Sequence, residues 1–528
     1  MNSRLSSQRL TELSRNGAAS EIAAQDISPP TRPSSTATAS SSSGAALTAQ
    51  PPQSRTPARE SELRWSRRIV ERALRKLGDP AIAVVLWNGQ EVCTSAEPPA
   101  ARLRFHDRAA LWRVALDPRM QFGEMYSRGR LDVEGDMAQM LISLDRALMR
   151  IGRTDIGANR PLLFLRQLLH PNTAAQAKQD IHRHYDLGND FYRLWLDQQM
   201  LYTCAYFAEP SMSLEEAQVA KMDHVARKLW LQPGETVIEA GCGWGALALH
   251  LARRYGVSVR AFNTSHEQIV FARARARAEG LHDRVEFVEE DWRNIRGRCD
   301  AFVSVGMLEH VRPPNYRRLG EVIHGCLKPN GRGLIHSIGR NRPQPMDPWI
   351  DRHIFPGAIP PSISQMMTIF ESREFSLLDA ENLRLHYALT LRHWLDRFEK
   401  SREQVLQMFD ERFVRMWRQY LAGSLAAFEA GALQLFQVLF APGANHQVPS
   451  TRRYQYETSL PPAPSWFAGG PDKVPAVATQ PSSDENGQLP SDNGHCAQNA
   501  NGQDANGQNT NSQNGHASRT PACNPATS

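Results

Sequence analysis

The sequence lacks the features that mark membrane-spanning, secreted and zinc-binding proteins. It contains no run of about 18 apolar residues, so we expect no transmembrane helix. The N-terminal stretch MNSRLSSQRLTELSRNG has no apolar core, so we expect no secretory signal. No cysteine pair has Cys-x-x-Cys spacing, and no cysteine–histidine cluster has the spacing of a metal site. The cysteines are dispersed and odd in number, at positions 93, 204, 242, 299, 326, 496 and 523, which is typical of reduced thiols in a cytoplasmic protein.

The charge balance is only mildly basic. The 528 residues carry a formal net charge of +6, and 41% of them are hydrophobic and 22% charged. These values are ordinary for a globular protein of two or three domains. The excess fits attraction to an anionic surface but does not choose between lipid and nucleic acid. Because aromatic and basic residues do not alternate as they do in RNA-binding proteins, we expect no nucleic-acid partner.

Two polar segments flank the part of the chain that can form a core. Residues 1–59 are rich in Ser, Ala, Thr, Pro and Gln, and residues 459–528 are rich in Asn, Gln and Gly. Such compositions bury too little apolar surface to offset the entropy of ordering, so both segments are predicted to be disordered tails.

Residues 60–152 have the pattern of a small α+β domain. The domain starts with a basic amphipathic helix, SELRWSRRIVERALRKLG. This helix either touches an anionic membrane surface or packs its apolar face on its own domain, with the arginines in solvent. No catalytic constellation is evident in this part of the sequence.

Strand and helix patterns alternate along most of the chain after about residue 235. ETVIEAG, VSVRAFN, RVEFVEED, DAFVSVG and GRGLIHSIG have the pattern of strands, and helices of about a dozen residues separate most of them. A capping box at Ser213 and Glu216 starts the helix that precedes them. Apolar strands joined by helices predict an α/β domain with a mostly parallel sheet.

A glycine-rich turn follows the first of these strands. In VIEAGCGWGALAL the glycines at 241, 243 and 245 allow a tight turn and close approach of a ligand. With Ala246 the turn also fits a dinucleotide fingerprint, but the second strand ends in RAFNTS without the acid that a NAD site needs. Glu239 lies just before the turn instead, and Asp291 ends the third strand. The arrangement Glu-x-Gly-x-Gly-x-Gly resembles motif I of S-adenosylmethionine-dependent methyltransferases.

Further segments resemble one methyltransferase family in order along the chain. They are HYDLGNDFYRLWLD, LYTCAYF, SLEEAQVAKMD, VIEAGCGWG, NTSHEQ, SVGMLEHV, LIHSIG, WIDRHIFPG and LRLHYALTLRHW. Together they resemble the cyclopropane-fatty-acyl-phospholipid synthase and mycolic acid cyclopropane synthase family. The resemblance implies a class I, Rossmann-like methyltransferase domain at 153–458 and a lipid-binding type of domain at 60–152.

The resemblance assigns S-adenosylmethionine as methyl donor and indicates which residues hold it. Tyr202 and Thr203 flank the cofactor, the turn from Glu239 to Gly245 lies beneath its methionine part, and NTSHEQ lies near its ribose. Asp291 and Trp292 lie beside the adenine. The implied cofactor residues are Tyr202, Thr203, Glu239, Gly241, Cys242, Gly243, Trp244, Gly245, Asn263, Thr264, Gln268, Asp291 and Trp292.

The resemblance also implies a group of residues around a bound bicarbonate, the family's general base. Cys204, Glu309, His336 and Tyr387 match these positions, and we call them the anion cage. In this interpretation Cys204 forms no covalent bond, because methyl transfer is direct. Two departures stand out: Ser424 replaces a cysteine that many members carry, and Trp292 replaces a tyrosine. We count Ser424 with the catalytic set.

The implied reaction converts a cis double bond of an unsaturated phospholipid acyl chain into a cyclopropane ring. The segment WIDRHIFPGAIPPSISQMM is expected to be a loop-rich insertion that helps line an acyl tunnel, with Ile354 and Phe355 in its wall. The enzyme would then be cytoplasmic and peripheral at the membrane surface. The resemblance is also compatible with a homodimer.

Other functions remain open on the sequence alone. One is a lipid C-methyltransferase that makes methyl- or methylene-branched chains, and another is a small-molecule N-methyltransferase. A third is a binding protein that has kept the fold without activity, although the intact anion cage argues against it.

Overall fold

The computed structural model describes residues 57–151 and 187–456. The chain divides after Val70 into two units, and the first contributes only the start of helix α1 (Pro57–Lys76) to the described residues. The six basic residues of this helix from position 64 onward are exposed: Arg64, Arg67, Arg68, Arg72, Arg75 and Lys76. The helix begins just before residue 60, and the rest of both predicted tails lies outside the described residues. Among the helices that the model describes, none is long and apolar enough to cross a bilayer.

Residues 81–151 form the small α+β domain. Its sheet has the order β2-β1-β3-β4, with β1 parallel to β3 and the other neighbours antiparallel. Its elements are β1 (Ile82–Val85), β2 (Glu91–Val92), β3 (Ala101–Phe105), α2 (Arg108–Leu116), α3 (Pro118–Ser127), β4 (Leu131–Gly135) and α4 (Met137–Arg150). The side chains of Asp107, Asp117 and Asp136 cap the three helices by accepting a hydrogen bond from the backbone N–H three residues on. The predicted α+β pattern is confirmed.

A second, seven-stranded sheet has the order β10-β11-β9-β8-β5-β6-β7. The strands are β5 (Thr236–Ala240), β6 (Ser258–Asn263), β7 (Val285–Glu289), β8 (Cys299–Val305), β9 (Leu327–Gly339), β10 (Phe375–Asn382) and β11 (Gln434–Pro442). Strands β5 to β9 are parallel, and β11 is antiparallel to both of its neighbours. The order reverses at β5, so a crevice opens at the carboxyl ends of β5 and β8, where α/β proteins bind ligands.

Helices cover both faces of this sheet. They are α5 (Asn189–Arg193), α6 (Leu214–Lys228), α7 (Ala246–Tyr255), α8 (His266–Ala278), α9 (Leu308–Val311), α10 (Tyr316–Cys326), α11 (Pro348–His353), α12 (Ile363–Glu371), α13 (Arg384–Lys400), α14 (Arg402–Met408) and α15 (Glu411–Ala430). Consecutive strand residues point to opposite faces. Val237 therefore joins the core beneath α7 and α8, and Ile238 joins the core beneath α10 and α12.

The structure confirms the α/β class and corrects the sequence analysis in two places. The predicted alternation stopped at β9, but β10 and β11 complete the sheet. The segment WIDRHIFPGAIPPSISQMM was expected to be loop-rich, but helices α11 and α12 take up much of it. A capping box at Ser362 and Gln365 starts α12, and it was the signal that the sequence offered for this helix.

Helix α15 connects the small domain to the larger one. Arg415 on α15 donates hydrogen bonds to the Tyr126 carbonyl and to the Asp132 carboxylate, each at 2.6 Å. Glu124 on α3 lies 2.7 Å from Nε2 of His353, at the end of α11. The small domain thus contacts the segment between β9 and α12, which we call the covering segment (residues 340–362).

Candidate active site

The glycine-rich turn lies at the point where the strand order reverses. Strand β5 ends at Ala240, and the backbone N–H groups of Gly241 and Cys242 donate to the Phe262 carbonyl at 2.8 and 3.1 Å. Gly241, Gly243 and Gly245 all have positive φ, at 85°, 54° and 83°. Glycine alone adopts such angles at little cost, so the sequence folds here into a tight turn that ends at the start of α7.

The turn borders a cleft of about 800 Å³, a volume that includes the part open to solvent. Nine of the thirteen implied cofactor residues line this cofactor cleft: Tyr202, Thr203, Glu239, Gly241, Cys242, Gly243, Trp244, Asn263 and Gln268. Asn263 Nδ2 donates to Gln268 Oε1 at 2.7 Å, which fixes both amides at the cleft wall. The residues that the sequence spread over about seventy positions are therefore brought together at one end of the sheet.

Four implied cofactor residues do not line the cofactor cleft. Gly245 packs against Phe287, and the Thr264 N–H donates to Asn263 Oδ1 at 2.8 Å. Asp291 caps a short 3-10 turn (Trp292–Asn294) and forms an ion pair of 2.9 Å with Arg293. Trp292 is buried in the core beneath α10. The adenine contact of Asp291 and Trp292 thus stays a prediction.

Two alanine substitutions in the turn should separate folding from cofactor binding. A Cβ at position 245 would lie 2.5 Å from Phe287 Cζ, whereas a Cβ at 243 would meet nothing within 4 Å. Gly245→Ala is expected to lower the free energy of unfolding by about 2–4 kcal/mol. Gly243→Ala should cost only about 1 kcal/mol but fill the space beside the cleft, and so weaken cofactor binding. Thermal unfolding and calorimetric titration with S-adenosylmethionine measure the two effects, and equal unfolding midpoints would contradict this reading of the turn.

Two buried charged groups face the cofactor cleft. Glu239 is 2% exposed, and its Oε2 has no hydrogen-bond partner among the described residues. Burial raises the pKa of Glu239 to about 7. Lys221 on α6 is 1% exposed, and its Nζ donates to Thr203 Oγ1 at 2.9 Å. The sequence analysis missed Lys221, although a lysine on the apolar stripe of SLEEAQVAKMD was a usable signal.

Cys204 follows the cleft residue Thr203 but is fully buried. Its Sγ lies 3.1 Å from the Ala205 carbonyl oxygen and 4.0 Å from that of Leu383. Burial raises the pKa of the Cys204 thiol far above its ordinary value, so the group stays protonated at neutral pH. Since only a thiolate is an effective nucleophile, this environment supports a wall residue and argues against covalent catalysis.

Glu309 and His336 lie on neighbouring elements at the carboxyl end of the sheet. Oε1 of Glu309, on α9, accepts a hydrogen bond of 2.6 Å from the Ile338 N–H, and Oε2 is buried with no partner among the described residues. His336, on β9, has Nδ1 at 3.0 Å from Gln437 Nε2, while its Nε2 is also buried with no partner in the described part of the chain. The Ile338 N–H that binds Glu309 is two residues beyond His336 on β9, so Glu309 and His336 both lie at the carboxyl end of this strand.

Burial sets the protonation of these two groups. It raises the pKa of Glu309 to about 7 and lowers that of His336 to about 3. His336 is therefore a neutral imidazole. Because Nδ1 accepts from the Gln437 amide as assigned, Nε2 carries the proton and can donate it in a hydrogen bond. Glu309 Oε2 and His336 Nε2, two buried polar atoms without partners among the described residues, are thus an acid–base group and an N–H donor at the same end of the sheet.

Tyr387 and Ser424 come from the helices that flank this region. The Tyr387 ring on α13 lies 4.5 Å from the Phe428 ring on α15, and Tyr420 on α15 bonds through its hydroxyl to the Tyr202 hydroxyl at 2.6 Å. Ser424 lies midway between Tyr420 and Phe428, four residues from each, so all three share one face of α15. Ser424 is half-buried, and its role stays a prediction.

Strand β11 connects the two halves of the anion cage. The Leu383 carbonyl lies 4.0 Å from Cys204 Sγ and accepts the Tyr387 N–H at 3.2 Å, so it joins these two residues. The Leu383 N–H donates to the Leu435 carbonyl on β11 at 2.8 Å, and Gln437 on the same strand bonds His336. The sequence analysis did not identify Gln437, because nothing in QLFQVLFAP distinguishes a buried functional glutamine from an exposed one.

The fold and the cofactor cleft define a class I S-adenosylmethionine-dependent methyltransferase. The solved structure of coclaurine N-methyltransferase bound to N-methylheliamine and SAH has the same fold, with a TM-score of 0.51 and 21% sequence identity. The match covers 61% of this chain and 99% of that one. It supports the fold alone.

The model of the family described as mycolic acid cyclopropane synthetase matches residues 172–438, and the chain belongs to this family. A probable fatty acid methyltransferase of Pseudomonas putida is 35% identical over 396 residues, which are 73% of this chain and 98% of that protein. The cyclopropane-fatty-acyl-phospholipid synthase of Escherichia coli K12 is 40% identical over 50% of this chain and 68% of that protein. A domain of unknown function matches residues 69–147. The chain is thus a methyltransferase of the cyclopropane-fatty-acyl-phospholipid synthase type.

Proposed function

We propose that this enzyme adds the methyl carbon of S-adenosylmethionine to a cis double bond of an unsaturated phospholipid acyl chain and closes a cyclopropane ring. The observation that carries the proposal is that Glu309 Oε2 and His336 Nε2, at the carboxyl end of the sheet, are buried without partners in the described residues. The name of the Escherichia coli relative supports the substrate class.

The cofactor cleft fits S-adenosylmethionine. Its glycine turn leaves open space at Gly243, and its wall offers amide, hydroxyl, carboxylate and ammonium groups. When bound there, the cofactor supplies an electrophilic methyl group to the double bond. The residues of the chain hold it and exclude water.

The anion cage fits bicarbonate as the general base that takes up the proton lost on ring closure. The neutral His336 would donate Nε2–H to the anion, and the Cys204 thiol would border it without charge. The pKa of Glu309, raised to about 7 by burial, lies near neutral pH. Glu309 would therefore be able to hold a proton at its carboxylate and release it again, since efficient proton transfer needs a pKa near the working pH.

The covering segment would admit the acyl chain. The Ile359 N–H donates to the Glu309 carbonyl at 2.8 Å, and the Phe355 ring lies 6.4 Å from that of His310, which lines the cofactor cleft. This segment therefore lies next to both parts of the site. The exposed basic face of α1 supports docking at an anionic membrane surface, where such a chain would be reached.

A second product remains a candidate. Ser424 lies on the same face of α15 as Tyr420, which bonds the cleft residue Tyr202. In the alternative function, the serine that stands here in place of the family's cysteine prevents closure of the ring. The Pseudomonas putida relative, matched over nearly its full length, is named a probable fatty acid methyltransferase, and methyl transfer without ring closure would give a branched chain as the alternative product.

Mass spectrometry of lipids tests the proposal. The purified chain is incubated with S-adenosylmethionine and monounsaturated phospholipid vesicles, with a reaction lacking the cofactor as control. We expect a product one CH2 heavier that resists hydrogenation, because a cyclopropane has no double bond. A product that takes up hydrogen or fragments as a branch would support the branched-chain alternative. No mass change would contradict both lipid functions.

A further inference from the structure

A lysine is buried where it makes only one hydrogen bond. Lys221 is 1% exposed, although lysine side chains usually extend to solvent. Among the described residues, Thr203 Oγ1 at 2.9 Å is the hydrogen-bond partner that its Nζ has. An ammonium group carries three N–H donors, so two of them have no protein partner in this part of the chain. The buried carboxyl groups of Asp197 and Glu239 favour the charged form of Lys221, but among the described residues neither accepts a hydrogen bond from it. Its two remaining N–H donors are therefore available to a ligand, because a buried donor without a hydrogen bond is costly.

Two residues of opposite charge line the cofactor cleft. Lys221 and Glu239 line the same cleft, and Oε2 of Glu239 has no hydrogen-bond partner among the described residues. Burial lowers the pKa of Lys221 to about 8, so the cationic form still predominates at neutral pH. The cleft therefore presents one cation and one carboxylate. The methionine part of S-adenosylmethionine carries one carboxylate and one ammonium group, so each charge of the cleft has a group of opposite sign in the cofactor.

We propose that Lys221 binds the carboxylate of the methionine part of S-adenosylmethionine, opposite Glu239, which faces the ammonium group. Thr203 holds the Lys221 ammonium group in place through its hydroxyl. The proposal explains why a lysine is retained on the apolar face of α6. It rests on the cofactor assignment of the cleft and is independent of the lipid product.

Calorimetric titrations with two ligands, without lipid, test this proposal. Lys221→Met removes the cation and keeps the apolar volume, and Lys221→Arg retains the charge. We expect Lys221→Met to weaken S-adenosylmethionine binding about 10- to 100-fold, the effect of losing a charge-assisted hydrogen bond. Binding of decarboxylated S-adenosylmethionine should change less than about twofold, because the lost contact is absent from this ligand. Lys221→Arg should restore part of the difference.

Equal weakening for both ligands would overturn the proposal, since it would show that Lys221 only maintains the shape of the cleft. Unchanged binding would overturn it as well. Lys228→Met is the matched control, because Lys228 is equally buried on the same helix but pairs with Asp379 and Glu381 outside the cleft. If Lys221→Met fails to fold, Lys221→Gln gives the same comparison. A wild-type chain that binds S-adenosylmethionine but alters no lipid would refute the proposed function and leave the role of Lys221 intact.

Discussion

Replacing Glu309 with glutamine is expected to lower lipid turnover about 10²- to 10⁴-fold, the range typical of losing a group that transfers protons. Glutamine keeps the shape and can still accept the Ile338 N–H at Oε1. It cannot take up a proton, so relay from the anion would fail. Turnover of monounsaturated vesicles measures the effect, and calorimetric titration should show unchanged S-adenosylmethionine binding.

The pH profile gives this experiment a second readout. Burial raises the pKa of Glu309 to about 7, and only the ionised carboxylate can receive a proton. Wild-type kcat/KM should therefore rise with pH and level off above about 7, whereas Glu309→Gln should lack this ionisation. Glu321→Gln is the matched control, because Glu321 pairs with Arg318 on the outer side of α10. Wild-type turnover in Glu309→Gln would remove Glu309 from the mechanism.

Placing a charge at Phe355 is expected to abolish lipid turnover while S-adenosylmethionine binding persists. The Phe355 ring lies 5.5 Å from that of Tyr420 and 6.4 Å from that of His310, so it occupies the junction of the covering segment, α15 and the cleft. A carboxylate there would oppose entry of an apolar chain, since burying an unpaired charge is strongly unfavourable. The same vesicle assay should show turnover of Phe355→Glu at less than about 1% of wild type.

Phe355→Leu is the control, because it keeps an apolar group and should retain most of the turnover. Ile354→Glu tests the neighbouring position, which is 1% exposed. Because a charge at such a buried position also disturbs packing, its unfolding midpoint must be compared with that of Phe355→Glu. Near-normal turnover by Phe355→Glu would show that the acyl chain does not pass this residue.

The parts of the site that could be predicted are those that local sequence specifies. The turn after Glu239 is defined by glycines, which adopt positive φ at little cost, and the strand before it by a run of apolar residues. Asn263 and Gln268 follow the next strand, so parallel pairing brings them to the same end of the sheet. The two residues predicted beyond β7 do not line the cofactor cleft, because Trp292 packs into the core and Asp291 pairs with Arg293.

Strands β10 and β11 were not predicted from the sequence, and each omission has a physical cause. Strand β10 lies at the edge of the sheet and alternates polar residues that reach solvent, so FSLLDAEN lacks the apolar run of a central strand. Strand β11 is apolar, but it enters the sheet antiparallel after three helices, outside the βα alternation that guided the prediction. The order of such late strands depends on which edge of the sheet remains unpaired.

By itself the sequence determined the glycine turn, the helix caps, the parallel strands and the motifs of the family, because each depends on neighbours a few residues apart. Only the tertiary structure decided which side chains lose water and which distant groups meet. Burial makes His336 neutral, and its proton lies on Nε2 because Gln437, a hundred residues away in the chain, donates to Nδ1 from the adjacent strand. Burial also shifts the pKa values of Lys221 and Glu309 toward neutral pH. It changes the energy of a charge, and it is a property of packed surfaces, which no local pattern encodes.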